Sequence, residues 1–518
     1  MLRRWAPMLL ILLLLVGCTR PQQPPTAHPN PDTPPPGPKP TPAAYDLVIK
    51  GGTIIDGTGS ARYRGDVAIQ GDRIAAVGKL GAYTATAEID ATGLIVAPGF
   101  INPHSHTHDD AINPFIERDA VASLMQGITT EIGGVDGRSP VDIGQELKRL
   151  ADEGTGVNFG LFLGQGSVRQ TVMGQITGPA NPDQLGQMKR LVRKAMEDGA
   201  FGLSTGLEYR FGSYADTEEI TALVAETKGY GGIYSTHLRS EGDRIVEGLK
   251  EALTISERAG VPLNYSHAKI VHYRNWDKED QVFELIEAAI KKGQKVFADV
   301  YPYLAPDYGV NRLLSDWAGV LPPEYLLIVN GGDPGLHGKT VAQAAKTLGV
   351  PVEQAAGKLL ALHPEIRVVA LVSSESAMIR FYKAPWSVVA TDGEAQPKLN
   401  SPSEALSYGL HRRSYGAYPQ LLGNLVREQK ILTLEQAIRK STGQVADSMA
   451  IKNRGYLKPG QYADIVVFNA DTIADKTTWL SPQEYPEGIR YVLVNGSVAV
   501  NQGKWIEGRR GRIIRPGQ

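Results

Sequence analysis

Five residues of this chain have the types and positions that could hold a metal ion. His104 and His106 end the stretch LIVAPGFINPHSH (94–106). In a strand, residues i and i+2 face the same side, so His-x-His offers two imidazoles to one ion. His237 lies near the end of GGIYSTHLR (231–239), His267 in VPLNYSHAK (261–269), and Asp392 closes WSVVATD (386–392). A lone histidine at a strand end is commonly a hydrogen-bonded structural residue. Four of the chain's ten histidines placed this way, with an aspartate, point to metal binding. All-nitrogen and oxygen ligation suits Zn²⁺ best, in one or two ions, with Mn²⁺, Fe²⁺ or Co²⁺ as alternatives. Such an ion can lower the pKa of its water from 15.7 to about 7 and polarise a carbonyl. Asp392 is then placed to take the water's proton and return it to a leaving group; its competing role is to cap the helix that follows.

These residues need a scaffold that brings distant strand ends together. Strand-like runs are read at 94–103, 129–133, 157–164, 200–206, 231–239, 261–269, 295–303 and 386–392. Helix-like stretches precede most of them, such as 183–199 and 243–260, with apolar residues recurring at three and four. Eight such units in series predict a parallel (β/α)₈ TIM barrel over 99–455, whose chemistry gathers at the C-terminal strand ends. The gap before the eighth strand is too long for one crossover, so about 305–380 is read as an insertion with helices of its own, including 338–349. Short alternating runs at both ends of the chain, 45–98 and 456–514, predict one small β-sandwich built from the two termini.

Composition excludes some functions. With 518 residues, 42% hydrophobic and 21% charged, the chain is a folded enzyme-sized protein plus a smaller domain. A formal net charge of −1 gives no electrostatic reason to expect nucleic acid. A single cysteine rules out a disulfide framework and a cysteine zinc cage within the chain. That cysteine, Cys18, ends MLRRWAPMLLILLLLVGC (1–18), a basic start and an apolar run too short for a comfortable transmembrane helix. Leu15-Val16-Gly17-Cys18 is similar to a bacterial lipobox, in which the cysteine is lipidated; a plain signal peptide or an uncleaved anchor is the alternative. The proline-dense 19–44 is expected to form an extended tether rising about 3.1 Å per residue. The enzyme is therefore expected outside the cytoplasm, held to a membrane by its lipid.

The constellation resembles that of the metal-dependent amidohydrolase superfamily. Longer stretches resemble its N-acyl-D-amino-acid deacylase family: GSVRQTVMG (166–174), GAFGLSTGLEYRFGSYADTEE (199–219), STHLRSEGD (235–243), SHAK (266–269) and YPEGIRYVLVNG (485–496). The resemblance runs from about residue 46 to 514 and implies a barrel with a terminal β-sandwich and an inserted segment. The sequence also departs from the family. Where relatives commonly carry Gly-Asn-Cys-Gly, with a metal-binding cysteine, this chain has Gly134-Val135-Asp136-Gly137. Asp136 takes the cysteine's place as an expected ligand that could bridge two ions, a turn aspartate beside a single ion being the other reading. Strand four ends in Ser204-Thr205-Gly206, without the lysine that other amidohydrolases carboxylate, and Gln165 replaces a family histidine. His108 is a third histidine after strand one, although the spacing from Pro98-Gly99-Phe100 favours His104 and His106.

The resemblance also assigns substrate residues. Lys269 and Arg413 match positions that hold the substrate carboxylate, a solvated surface ion pair being the other reading of each. Tyr301, in the Tyr-Pro-Tyr after strand seven, is a candidate to donate its hydroxyl to the substrate or else to serve packing, and Asp307 is an acid close to that pocket. The function implied is deacylation of N-acyl-D-amino acids by hydrolysis of a linear amide. A cyclic amidohydrolase or a dipeptidase is the rival within the superfamily, and a catalytically inactive surface-binding lipoprotein the rival of another class. Oligomeric state is not legible.

Overall fold

The computed structural model describes residues 43–107, 118–394 and 398–517, without the side chains of 403, 406 and 407. Cys18, residues 19–42 of the expected tether and His108 lie outside the described residues, whereas 43–44, expected at the tether's end, already begin the strand Ala43–Ile54.

Eight parallel strands form the barrel: β1 (Phe100–Asn102), β2 (Ile128–Gly133), β3 (Asn158–Leu161, resumed at Leu163–Gly164), β4 (Gly202–Gly206), β5 (Ile233–His237), β6 (Leu263–Tyr265), β7 (Val296–Val300) and β8 (Ser387–Val389). Their order follows the sequence, β1-β2-β3 and then β3-β4-β5-β6-β7-β8. Backbone bonds beyond the last strand close the ring, from Asp392 N–H to His104 C=O (3.1 Å) and from His106 N–H to Gly393 C=O (2.9 Å). Every residue of β2 and of β4–β8 is buried, as parallel strands covered on both faces require.

Local sequence signals account for the helices between strands. The helix Pro182–Asp198 begins at an Asn181–Gln184 capping box with proline in its first turn and stops at Gly199 in the left-handed region. Its buried residues, Met188, Val192, Ala195 and Met196, fall on one face at helical spacing. The helix Val341–Leu348 repeats the device with Thr340, Gln343 and Gly349. It belongs to the inserted segment, where Arg312–Leu313, Leu326–Asn330 and Arg367–Ala370 make a three-stranded antiparallel sheet over a separate apolar core including Leu314, Trp317 and Leu359.

The expected first strand, 94–103, is two strands. Ile95–Pro98 pairs with Ile465–Phe468 in the β-domain, and only Phe100–Asn102 enters the barrel. The change of sheet falls at Gly99, where any side chain would collide with Thr129 and where the N–H donates to the Asp464 carbonyl (2.8 Å). The β-domain itself is a nine-stranded sheet that draws five strands from before the barrel and four from after it. Ile54, Val67, Ile465 and Leu493 meet in its core, so the two ends of the chain bury one apolar surface together.

A buried polar knot joins this domain to the barrel. Asp464 pairs with Arg454 and accepts from Asn495 N–H (2.8 Å) and from Asn158 Nδ2 of β3 (3.1 Å). Asn495 in turn donates to Asn158 Oδ1 (2.8 Å) and accepts from Arg454 (2.9 Å). Removing one member of a buried ion pair costs about 3–5 kcal/mol, because the other charge is left unpaired. Asp464→Ala should lower the unfolding free energy by about that amount in chemical denaturation. A loss below about 1 kcal/mol, the range of a surface pair, would show that the knot holds nothing together.

Candidate metal centre and active site

The C-terminal strand ends carry two donor sets that meet at one residue. The first is His104, His106, Asp136 and Asp392; the second is Asp136, His237 and His267. Asp136 Oδ2 lies 3.6 Å from His104 Nε2, 3.6 Å from His106 Nε2 and 3.3 Å from His267 Nε2. Asp392 Oδ1 lies 3.4 Å from His104 Nε2 and 3.2 Å from His106 Nε2, and His237 Nδ1 lies 3.0 Å from His267 Nε2. Donors about 2.0–2.2 Å from a shared tetrahedral centre stand roughly 3.4 Å apart, so both sets have the spacing of metal ligands. The buried polar atoms fit the same reading. Both ring nitrogens of His104 and Oδ1 of Asp136 have no hydrogen-bond partner among the described residues.

Electrostatics favours a cation here. Burial alone would lower the imidazoles, yet Asp299 and Asp136 outweigh it and hold His104 well above its usual range. Burial opposes in the same way at His106, where Asp136 and Asp392 bring the imidazole to about 9. Carboxylates thus dominate the field at the donors, a surplus that a divalent ion neutralises. Burial would raise Asp392, but Arg413 and His267 keep its carboxyl well below the carboxylate range. Arg413 does so by direct contact, Nη1 to Asp392 Oδ2 at 2.6 Å.

Asp136 reaches its place through an unusual backbone. Its φ is +53°, in the left-handed region that non-glycine residues seldom occupy, and His267 (+35°) and Asp392 (+53°) share the feature. Three expected ligands in strained conformations fit a functional site that the surrounding structure over-determines. Ser204 of β4 supplies that constraint for Asp136: its hydroxyl donates to the Gly134 carbonyl (2.6 Å) and accepts from Gly137 N–H (3.1 Å), clamping the loop from both sides. A side chain at Gly134 would collide with the Phe162 carbonyl. The end of β4, which carries no lysine, thus helps to position the aspartate.

The remaining expected residues also converge. A cavity of about 230 Å³ is lined by residues including His106, Tyr209, Lys269, Asp392 and Arg413, with Asp307 and Tyr308 of the insertion forming part of its wall. Lys269 and Arg413 stand over the Tyr301 ring at 5.6 and 5.2 Å. The Tyr301 hydroxyl is buried without a partner among the described residues, and burial pushes it up to about 12, so it is a donor at neutral pH. Neither cation is free, however: Lys269 Nζ bonds Glu241 (2.8 Å), and Arg413 bonds Asp392. Gln165 is buried at the start of the helix Gln165–Met173, and Arg169 of that helix pairs with Glu219.

Three carboxylates escaped the sequence reading. Asp299 of β7 accepts from the His267 N–H (2.7 Å) and lies 3.5 Å from His104 Nδ1; Glu241 Oε1 lies 3.0 Å from His267 Nδ1; Glu208 Oε2 lies 3.2 Å from His237 Nε2. The signal available in the sequence was an aspartate inside an apolar strand, FADV, and two acids in the stretches GLEY and RSEGD.

A parallel barrel with histidines after strands one, five and six and an aspartate after strand eight defines a metal-dependent amidohydrolase. A model of the amidohydrolase family matches residues 367–500. The chain is 33% identical to a D-aminoacylase of Alcaligenes xylosoxydans xylosoxydans over 91% of its length and 97% of the relative's. It is 32% identical to an N-acyl-D-glutamate deacylase of the same organism, over 91% and 96%. It also superposes on the crystal structure of N-acyl-D-glutamate deacylase from Bordetella bronchiseptica, complexed with zinc and a phosphonate mimic of the tetrahedral intermediate. That match has a TM-score of 0.76 and 30% identity, covering 91% of this chain and all of the other. The chain belongs to the D-aminoacylase family of N-acyl-D-amino-acid deacylases.

Because one carboxylate serves both donor sets, Asp136→Ala should weaken both. Elemental analysis after zinc-replete expression should find one to two equivalents in the wild type and less than half of that in the variant, with Asp136→Cys keeping at least one ion. Unchanged zinc in Asp136→Ala would reduce the residue to a turn aspartate.

Proposed function

We propose that this protein hydrolyses linear amides, deacylating N-acyl-D-amino acids to a carboxylate and a free D-amino acid, with Zn²⁺ held at His104, His106, Asp136, His237, His267 and Asp392. The observation that carries the reading is the meeting of residues from both donor sets with Lys269 and Arg413 around one cavity, the two cations standing over the buried Tyr301 ring. A divalent ion held by these residues would supply an activated water and polarise the scissile carbonyl.

The chain's own residues perform the remaining tasks. Asp392 turns Oδ1 toward the donors and gives Oδ2 to Arg413, which keeps it ionised, so it accepts the first proton and can return it to the leaving nitrogen. The substrate's α-carboxylate is the natural partner of a buried hydroxyl flanked by two cations. Tyr301 offers an unused donor, and the Arg413 Nε is likewise buried without a partner among the described residues. Walls that exclude bulk water strengthen these contacts. A linear substrate with a free carboxylate suits this cluster better than a cyclic amide, which has no carboxylate to pair. Asp307 on the cavity wall supports a further discrimination among side chains.

Tyr301→Phe is the cleanest test, since the hydroxyl has no hydrogen-bond partner among the described residues. A hydrogen bond to a charged group contributes about 1.5–3 kcal/mol, or roughly ten- to a hundredfold in kcat/KM. The variant should lose that factor on N-acetyl-D-leucine and little on N-acetyl-D-leucinamide. Equal losses on both would remove Tyr301 from carboxylate binding. A zinc-loaded wild type that hydrolyses no N-acyl-D-amino acid would overturn the function itself.

The reading extends to location. The lipobox-like Leu15–Cys18 and the proline-rich stretch after it support a lipid-anchored enzyme outside the cytoplasm, Cys18 being the modified residue. Among the described residues, no helix is long and apolar enough to cross a membrane. In a bacterial host, the full chain should fractionate with membranes and Cys18→Ser should not. Equal membrane retention of both would replace the lipid anchor with another attachment.

A further inference from the structure

The second donor set is backed by carboxylates on the side turned away from Asp136. His267 presents Nε2 to Asp136, and its Nδ1 lies 3.0 Å from Glu241 Oε1. His237 presents Nδ1 to His267, and its Nε2 lies 3.2 Å from Glu208 Oε2. The Glu241 N–H donates to Glu208 Oε1 (3.1 Å), which joins the two supports. Glu241 is only 1% exposed and its Oε2 has no partner among the described residues, so the carboxylate is held inside the protein for the contacts of Oε1.

Those contacts are two, and they compete. Lys269 Nζ lies 2.8 Å from Glu241 Oε1 and also 2.8 Å from His267 Nδ1. Ligation through Nε2 requires the tautomer whose proton sits on Nδ1. In that tautomer the ring can donate to Glu241 but cannot accept from Lys269, whose ammonium then faces an N–H. A ligating His267 therefore favours withdrawal of Lys269 from the ring. A carboxylate that draws Lys269 toward the cavity leaves Glu241 to His267 in turn.

We infer that Glu241 is a positioning residue that couples metal retention at His267 and His237 to capture of the substrate carboxylate by Lys269. The coupling half rests on the deacylase reading; the positioning half does not. Coupling of this kind is reciprocal: a carboxylate ligand tightens the metal by the factor by which the metal tightens the ligand. Supports of this type set ring orientation and tautomer, and their loss typically weakens metal affinity about 10–100-fold.

The test titrates zinc-loaded protein with a chromophoric chelator, alone, with saturating D-leucine, and with D-leucinamide, which lacks the carboxylate. D-Leucine should tighten zinc at least about fivefold in the wild type, and D-leucinamide should not. Glu241→Gln should weaken zinc about 10–100-fold and abolish the D-leucine effect. Lys269→Met should abolish the effect while holding zinc at least as tightly as the wild type, since it removes the competing donor and leaves Glu241 in place; a general loss of structure would not split the two readouts this way. Persistence of the effect in both variants overturns the coupling. So does its absence from the wild type when calorimetry shows D-leucine bound. If D-leucine does not bind at all, the coupling falls together with the deacylase reading, and the zinc affinity of Glu241→Gln still decides the positioning role: wild-type affinity overturns it.

Discussion

One carboxylate has to stand within reach of three histidines from two different strands, and much of the barrel's upper rim is arranged to keep it there. Asp136 shares Oδ2 among His104, His106 and His267. Its left-handed backbone turns the carboxylate inward, and Ser204 holds the flanking glycines that allow the turn. An isolated loop would relax out of such a conformation; here a neighbouring strand fixes both of its ends. The family's usual cysteine would offer one sulfur at this point. Aspartate offers an oxygen, a harder donor that also adds charge to a site already rich in carboxylates.

That charge balance explains why the cations of the cavity are already engaged. Five acids (Asp136, Asp392, Asp299, Glu241 and Glu208) surround four histidines within a largely buried volume. Buried charges without partners are costly, so Arg413 and Lys269 each neutralise one of them. Both remain beside the Tyr301 ring, where a substrate carboxylate would meet them. Metal ligation, proton transfer and substrate binding thus share charged groups. A change at one of these residues acts on more than one task, whereas Tyr301 stands apart because its hydroxyl has no hydrogen-bond partner among the described residues.

The scaffold carries this concentration of polar groups on a conventional base. Apolar strands and amphipathic helices supply the main core, and the β-domain has a core of its own built from both ends of the chain. The Asp464 knot ties that domain to β3 beneath the site, and Gly99 lets one run of chain serve both sheets. The insertion, with a third core, adds Asp307 and Tyr308 to the cavity wall.

Local patterning was enough to recognise the barrel, the helices and the donors after its strands. Period-two and period-3.6 repeats, capping residues and glycine breaks act over a few residues, so a sequence displays them directly. Histidines and aspartates at successive strand ends are legible for the same reason, because a parallel barrel sends every C-terminal end to one face. The division of 94–103 between two sheets was not legible, since its cause is the approach of Thr129 to Gly99. Nor was the shared position of Asp136 and His267, which lie 131 residues apart, or the support of that histidine by Glu241. Distances of about 3 Å between side chains on separate strands depend on backbone angles at single residues, such as the positive φ of Asp136, His267 and Asp392. Residue types determined that a metal could be held; only the packing of eight strands decided which carboxylate stands between the histidines and which stand behind them.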